Sequence, residues 1–264
     1  MSWALDASLR ATLTSYPGEQ AILHTSVSLV GNNLTASYLR VTAIDPGCGS
    51  SMSGFTVHGA NDAIEYSSVY DVPRHGILTS TSSSNVTIHG NFIQSTGSSC
   101  NLDHGIYFQT SGRISRNVLA DMRCGYGIHL YAHPHDVIVA ENTSVGSRVR
   151  AGIIIETDGS NITVANNIFA NNATYGISFQ ACGSGCTVDN NITWGNALGG
   201  VGGSLAGRVT NNRNVDPRFT DSAYHVNDSS PAKDTARAAF SYFADLDGVP
   251  HVMGTNPDLG AYER

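Results

Sequence analysis

The residues of this chain best suited to moving protons fall in one stretch. Between positions 75 and 180 stand the imidazoles of His75, His104 and His129, the phenols of Tyr107, Tyr126 and Tyr131, the carboxylate of Glu156, and the amides of Gln109 and Gln180. Imidazole titrates near neutrality and phenol well above it, so a cluster of both can take a proton at one point and return one at another. Aromatic rings spaced between polar heads also suit the alternating apolar and hydroxylated surface of a sugar. Such chemistry requires that distant residues meet on one surface.

A repeat supplies the means. Glycine followed by an apolar residue recurs at Gly76-Ile77, Gly105-Ile106, Gly127-Ile128, Gly152-Ile153 and Gly176-Ile177, at intervals of 22 to 29 residues, with a fainter Gly200-Val201 after them. In phase with it, an apolar residue stands three before an asparagine at Ile88/Asn91, Ile114/Asn117, Val139/Asn142, Val164/Asn167, Val188/Asn191 and Val209/Asn212. Short β-type runs at this period, with no helical spacing between them, imply a solenoid whose coils bury their apolar faces only by stacking. Alternation along each strand turns Ile77, Ile106, Ile128, Ile153 and Ile177 inward, and places on one outward face the residues before, two after and four after each glycine. The asparagines form an inward ladder.

The expected fold class is therefore all-β, a single-domain parallel β-helix. Residues 1–45 read as an N-terminal cap with the first imperfect coils, 46–215 as the coils, and 216–264 as a tail packed on the last coils. Ser53–Gly59 reads as the same strand class as Asn85–Gly90, one coil earlier. Residues 60–74 and 94–103 read as insertions that build binding walls.

Composition narrows the partners. A net charge of −7 over 264 residues argues against nucleic acid. No apolar run approaches a membrane span. Met1-Ser2-Trp3-Ala4 lacks the features of a leader, which reads as the trimmed start of a secreted or periplasmic bacterial protein. Cys182 and Cys186 can close a turn, Cys100 and Cys124 can bridge two coils, and Cys48 is left over. His133, His135 and Asp136 are ligand types in a turn, but no metal is assigned there. No cofactor is expected, a divalent cation such as calcium being the one compatible exception.

Residues 126–168, with Tyr126-Gly127-Ile128-His129-Leu130-Tyr131, Val137–Thr143 and Gly152–Ile155, resemble the catalytic coils of the mannuronan C5-epimerases and related polyuronate lyases. The resemblance implies a right-handed coil and an acidic polysaccharide such as alginate as substrate. In that family's motif, Tyr-Gly-(Ile/Phe)-Asp-Pro-His, the tyrosine, aspartate and histidine face the substrate and the histidine takes the C5 proton. By position the tyrosine is Tyr126, while His129, Leu130 and Tyr131 stand where the motif has Asp, Pro and His. The tail from Asp216 resembles the C-terminal segment of secreted bacterial β-helix proteins.

Cleavage of a polyuronate by β-elimination needs a base for the C5 proton, an acid for the departing O4, and a partner for the carboxylate. The one lysine, Lys233, lies in the tail. The expected base is His129 or His104 and the expected acid Tyr131 or Tyr107. Arg123, Arg148 or Arg150 would meet the carboxylate or enolate, with His75, Gln109, Tyr126, Glu156 and Gln180 binding substrate. A histidine base predicts activity that falls below a pH of about 6.5. The alternatives are a glycoside hydrolase using Glu156 with Asp103 or Asp158, a C5-epimerase, and a non-catalytic saccharide-binding or tailspike-like module.

Overall fold

The computed structural model describes residues 3–6, 9–43, 52–100, 102–156, 159–183, 185–203, 208–241, 243–250 and 252–264. Among them the strands form three parallel sheets of nine, nine and eight strands, in each of which spatial neighbours are one coil apart in sequence. The first sheet includes Ile77–Thr79, Ile106–Phe108, Ile128–Leu130, Ile153–Ile155 and Tyr175–Phe179. The second includes Val86–His89, Gly112–Ser115, His135–Ala140 and Ser160–Ala165. The third includes Phe92–Gln94, Val118–Ala120, Thr143–Val145 and Ile168–Ala170. One strand from each makes a coil. The inward residues stack in register, Ile77 on Ile106, Ile106 on Ile128, Ile128 on Ile153 and Ile153 on Ile177, and form one buried core.

The two sequence columns mark two corners of the coil. Where the third sheet leads into the first, the chain passes so close to its surroundings that a Cβ on Gly105 would lie 2.5 Å from the Gly127 carbonyl oxygen and 2.8 Å from Leu119. Only glycine fits. Between the second and third sheets the regular coils turn through one residue of positive φ, 52° at Arg116, 58° at Glu141 and 60° at Asn166, and in these coils the next residue is the inward asparagine. The amide of Asn117 donates to Asn142 at 2.9 Å, Asn142 to Asn167 at 3.0 Å, and Asn167 to Asn191 at 2.9 Å.

Two expectations are corrected. Residues 60–74 are not an insertion, because they hold strands Ala63–Glu65 and Ser68–Tyr70 of an ordinary coil. Phe55–Val57 pairs with Ile77–Thr79 in the first sheet, so Ser53–Gly59 is not the counterpart of Asn85–Gly90; the same alternation occurs in both sheets, and Gly54 is the true link to the glycine column. The described residues ahead of position 45 carry strands at coil positions, in keeping with the first coils expected there, such as Val27–Leu29 on Phe55–Val57 and Leu34–Ser37 on Ala63–Glu65.

The tail lies along the outer face of the third sheet. It buries Val226, Ala232, Ala236 and Leu259 against Val145, Ile168, Ala170 and Ile192, and Ala261 and Tyr262 against Val118 and Ala120. It reaches back past the last coils to His89, whose ring meets the Ala244 carbonyl at 3.0 Å. Arg116, fully buried at this seam, bonds Glu141 at 3.0 Å and Glu263 at 2.8 Å. Disulfides join Cys100 to Cys124 and Cys182 to Cys186, and Cys48 lies outside the described residues.

Asn167 also donates to the carbonyls of Val139 and Ala165 and accepts from the backbone of Asn142. Asn167→Ala is expected to cost about 3 kcal/mol, the penalty for leaving buried backbone groups without partners. Thermal unfolding measures it, and an unchanged midpoint would contradict the ladder's role.

Candidate functional site

The outward face of the first sheet carries the cluster. Tyr107 and His129 are register neighbours on adjacent coils, their rings 4.9 Å apart and nearly parallel, with Tyr131 stacked 5.6 Å from His129. Tyr126 closes the other side at 5.2 Å from His129. A disulfide from Cys100 to Cys124 ties the chain ahead of Gly105 to the next coil.

His75 and His104 do not stand on the open surface as expected. Each precedes its glycine, where the chain is turning the corner rather than alternating, and each is 2% exposed. The His75 Nδ1 accepts the backbone N–H of His104 at 3.1 Å, and the His104 Nδ1 accepts the backbone N–H of Tyr126 at 3.2 Å. A neutral imidazole whose Nδ1 accepts must carry its proton on Nε2. His104 therefore donates Nε2–H to the Nδ1 of His129, 2.7 Å away. His129 in turn must hold its own proton on Nε2, which points towards Glu156 Oε2 at 3.4 Å. That Nε2 is buried and makes no well-formed hydrogen bond.

This order of protons leaves neither His104 nor His129 a free imidazole lone pair, against the expectation of a histidine base. Both nitrogens of His104 are engaged, and its ring orients that of His129. The Nε2–H of His129 faces Glu156, and its Nδ1 lone pair is taken by His104. The group able to accept a proton is Glu156, whose pKa is raised by burial against an opposing pull from Arg150. Gln180 donates to its other oxygen at 3.4 Å. Burial depresses the histidines, His75 and His129 to about 4 and about 3. His104 is depressed by burial and by its imidazole neighbours. All three stay neutral well below the expected 6.5. Burial raises the phenols of Tyr107 and Tyr126, and Gln109 bonds Tyr107.

The arginines separate. Arg123 pairs with Asp71 at 2.6 Å and Arg148 with Asp121 at 2.5 Å, which commits both to the turns and corrects their expected place in substrate binding. Arg150 lies over the Tyr126 ring at 5.9 Å and is the cation that acts on Glu156. Asp103 is 1% exposed and accepts from the backbone of Ser98 and Ser99 and from Arg74, so it braces a turn; Asp158 lies outside the described residues. His133 and His135 are exposed, Asp136 accepts from Asn161, and no group of three metal-ligating side chains converges among the described residues.

The family model for the right handed beta helix region matches residues 30–144 and, in an overlapping match, 54–215. The chain belongs to the right-handed β-helix family. Among solved structures, this β-helix is similar to the periplasmic alginate epimerase AlgG, with 15% identity and a TM-score of 0.40 over 73% of this chain and 61% of that one. It is also similar to the A-module of the Azotobacter vinelandii mannuronan C-5 epimerase AlgE6, with 14% identity and a TM-score of 0.33 over 73% of this chain and 70% of that one. The chain thus spans about three-fifths of the AlgG structure. No curated protein matches its sequence.

The neutral buried histidines also set a pH dependence of stability. Their folded pKa values lie below the ordinary 6.5, so the unfolded chain binds more protons; the stability is present above pH 6.5 and lost as pH falls towards 4. The unfolding midpoint is expected to drop over that window and to drop less in His75→Asn, whose amide oxygen keeps an acceptor for the His104 N–H. A midpoint that rises on acidification would contradict the neutral relay.

Proposed function

We propose that this β-helix is a polysaccharide lyase that cleaves a uronate-containing chain such as alginate by β-elimination in the groove over His129 and Glu156. The observation that carries the reading is the pairing of a partly buried carboxylate with a buried, unsatisfied imidazole N–H at 3.4 Å, walled by tyrosines. Arg150 and the His129 N–H receive the uronate carboxylate and stabilise the enolate. Glu156, ionised, takes the C5 proton. The electrons of the C5–H bond form the C4=C5 double bond as the C4–O4 bond breaks, and O4 takes a proton from the phenol of Tyr131 or Tyr107. The proton held by Glu156 then returns to the phenolate through solvent.

A hydrolase needs a second carboxyl group across the scissile bond. Asp103 is committed to its turn, and Glu156 is the carboxylate at the outward positions of the catalytic coils among the described residues. An epimerase shares the first half of the reaction but returns the proton to C5. The two disulfides suit an oxidising compartment, and we place the protein outside the cytoplasm. No helix among the described residues is long and apolar enough to cross a membrane.

Incubation with alginate is expected to yield oligosaccharides with the ultraviolet absorbance of an unsaturated uronate. Glu156→Gln should lower kcat by about 10²–10⁴-fold. The base must be ionised, so activity should be lost as pH falls through the raised pKa of Glu156, above the ordinary 4.5, rather than at the histidine value. Saturated reducing ends would overturn elimination in favour of hydrolysis. Unchanged chain length with altered C5 configuration would overturn it in favour of epimerisation.

A further inference from the structure

A second cleft opens on the third sheet, between its early coils and the tail. Its floor is a pair of aromatic rungs: Tyr38 stacks on Tyr66 at 5.3 Å and 10°, and Tyr70 on Phe92 at 5.7 Å and 21°. The guanidinium of Arg40 sits 4.7 Å over the Tyr70 ring. The tail forms the far wall with His225, Asp247 and Tyr262, and the cleft encloses about 600 Å³, inside the range of about 300–1,000 Å³ usual for small-molecule sites.

Two polar atoms in it lack partners. Arg40 Nε and Ser68 Oγ are both buried without a hydrogen bond, and both residues line the cleft. Buried donors are normally satisfied, so each calls for an acceptor that the described residues do not supply. Asp247 is taken, because the His225 ring bridges it at 2.9 Å and Asp221 at 2.6 Å. The amides of Gln20 and Gln94 add donors and acceptors beside the phenols. Aromatic edges, hydroxyls, amides and one guanidinium fit a hydroxylated ring bearing an anionic group, and fit an apolar ligand poorly.

We propose that this cleft binds a short acidic saccharide, its carboxylate on Arg40 and Ser68 and its ring against the Tyr66 and Tyr70 rungs, as a site separate from the groove on the first sheet. The proposal stands on the cleft's own chemistry and does not depend on the reaction assigned to the groove.

Calorimetric titration with trimannuronate, in a Glu156→Gln background to prevent turnover, tests it. The expected result is a binding event that Arg40→Gln weakens about tenfold or more, the loss of a charge-assisted hydrogen bond, that Ser68→Ala weakens less, and that Tyr131→Ala leaves intact. Should Arg40→Gln fail to fold by circular dichroism, Ser68→Ala alone carries the comparison. Neutral mannotriose should bind at least tenfold more weakly. The proposal is overturned if trimannuronate does not bind, if all binding is lost in Tyr131→Ala and untouched by the Arg40 and Ser68 variants, or if mannotriose binds equally well. Failure of the groove reading is distinct: it would remove the Tyr131-dependent event and leave the Arg40-dependent one.

Discussion

A backbone that turns inward between two sheets leaves a buried N–H on each coil, and from Ser67 to Asn191 an asparagine carbonyl from the next coil takes it. The N–H of Asn91 meets Asn117 at 2.9 Å, that of Asn117 meets Asn142 at 3.0 Å, and that of Asn142 meets Asn167 at 2.8 Å. The same side chains bond each other, so every rung is satisfied only if the coils above and below keep their register. That register also lays Tyr107 on His129 and brings His129 within reach of Glu156. A slip of one residue would turn this outward face into the core.

The second constraint is burial at the corner between the third and first sheets. Backbone N–H groups there are fixed in direction by the coil, and two of them end on imidazole Nδ1 atoms. The coil thus chooses the tautomer of His104, His104 chooses that of His129, and the outcome is a donor beside the carboxylate of Glu156. Desolvation holds the imidazoles neutral, so the charge that titrates in the groove belongs to the carboxylate.

The regular coils were legible because glycine and asparagine are required at fixed corners and few residues can replace them. The first coils were harder to read: Ser26 stands at the glycine position before Val27–Leu29, and Ser67 takes the place of a ladder asparagine, accepting the Leu39 N–H at 3.2 Å. Strand alternation suffices to set Tyr107, His129, Tyr131 and Glu156 together on one outward face. Alternation does not extend to the corner, where His75 and His104 are buried rather than outward. Nor does it disclose partners one or two coils away, such as Asp71 and Asp121, that engage Arg123 and Arg148. Proton positions depend on backbone groups of the neighbouring coil and have no sequence signature.

The central claim is that His129 is held neutral with its proton on Nε2, leaving Glu156 as the base. Nitrogen-15 NMR of the histidine side chains at pH 6, below the ordinary histidine pKa of about 6.5, reads this directly. The account predicts a neutral His129 with a protonated Nε2 and an unprotonated, hydrogen-bonded Nδ1. A doubly protonated ring, or a proton on Nδ1 with Nε2 bare, would contradict it and return the base to histidine.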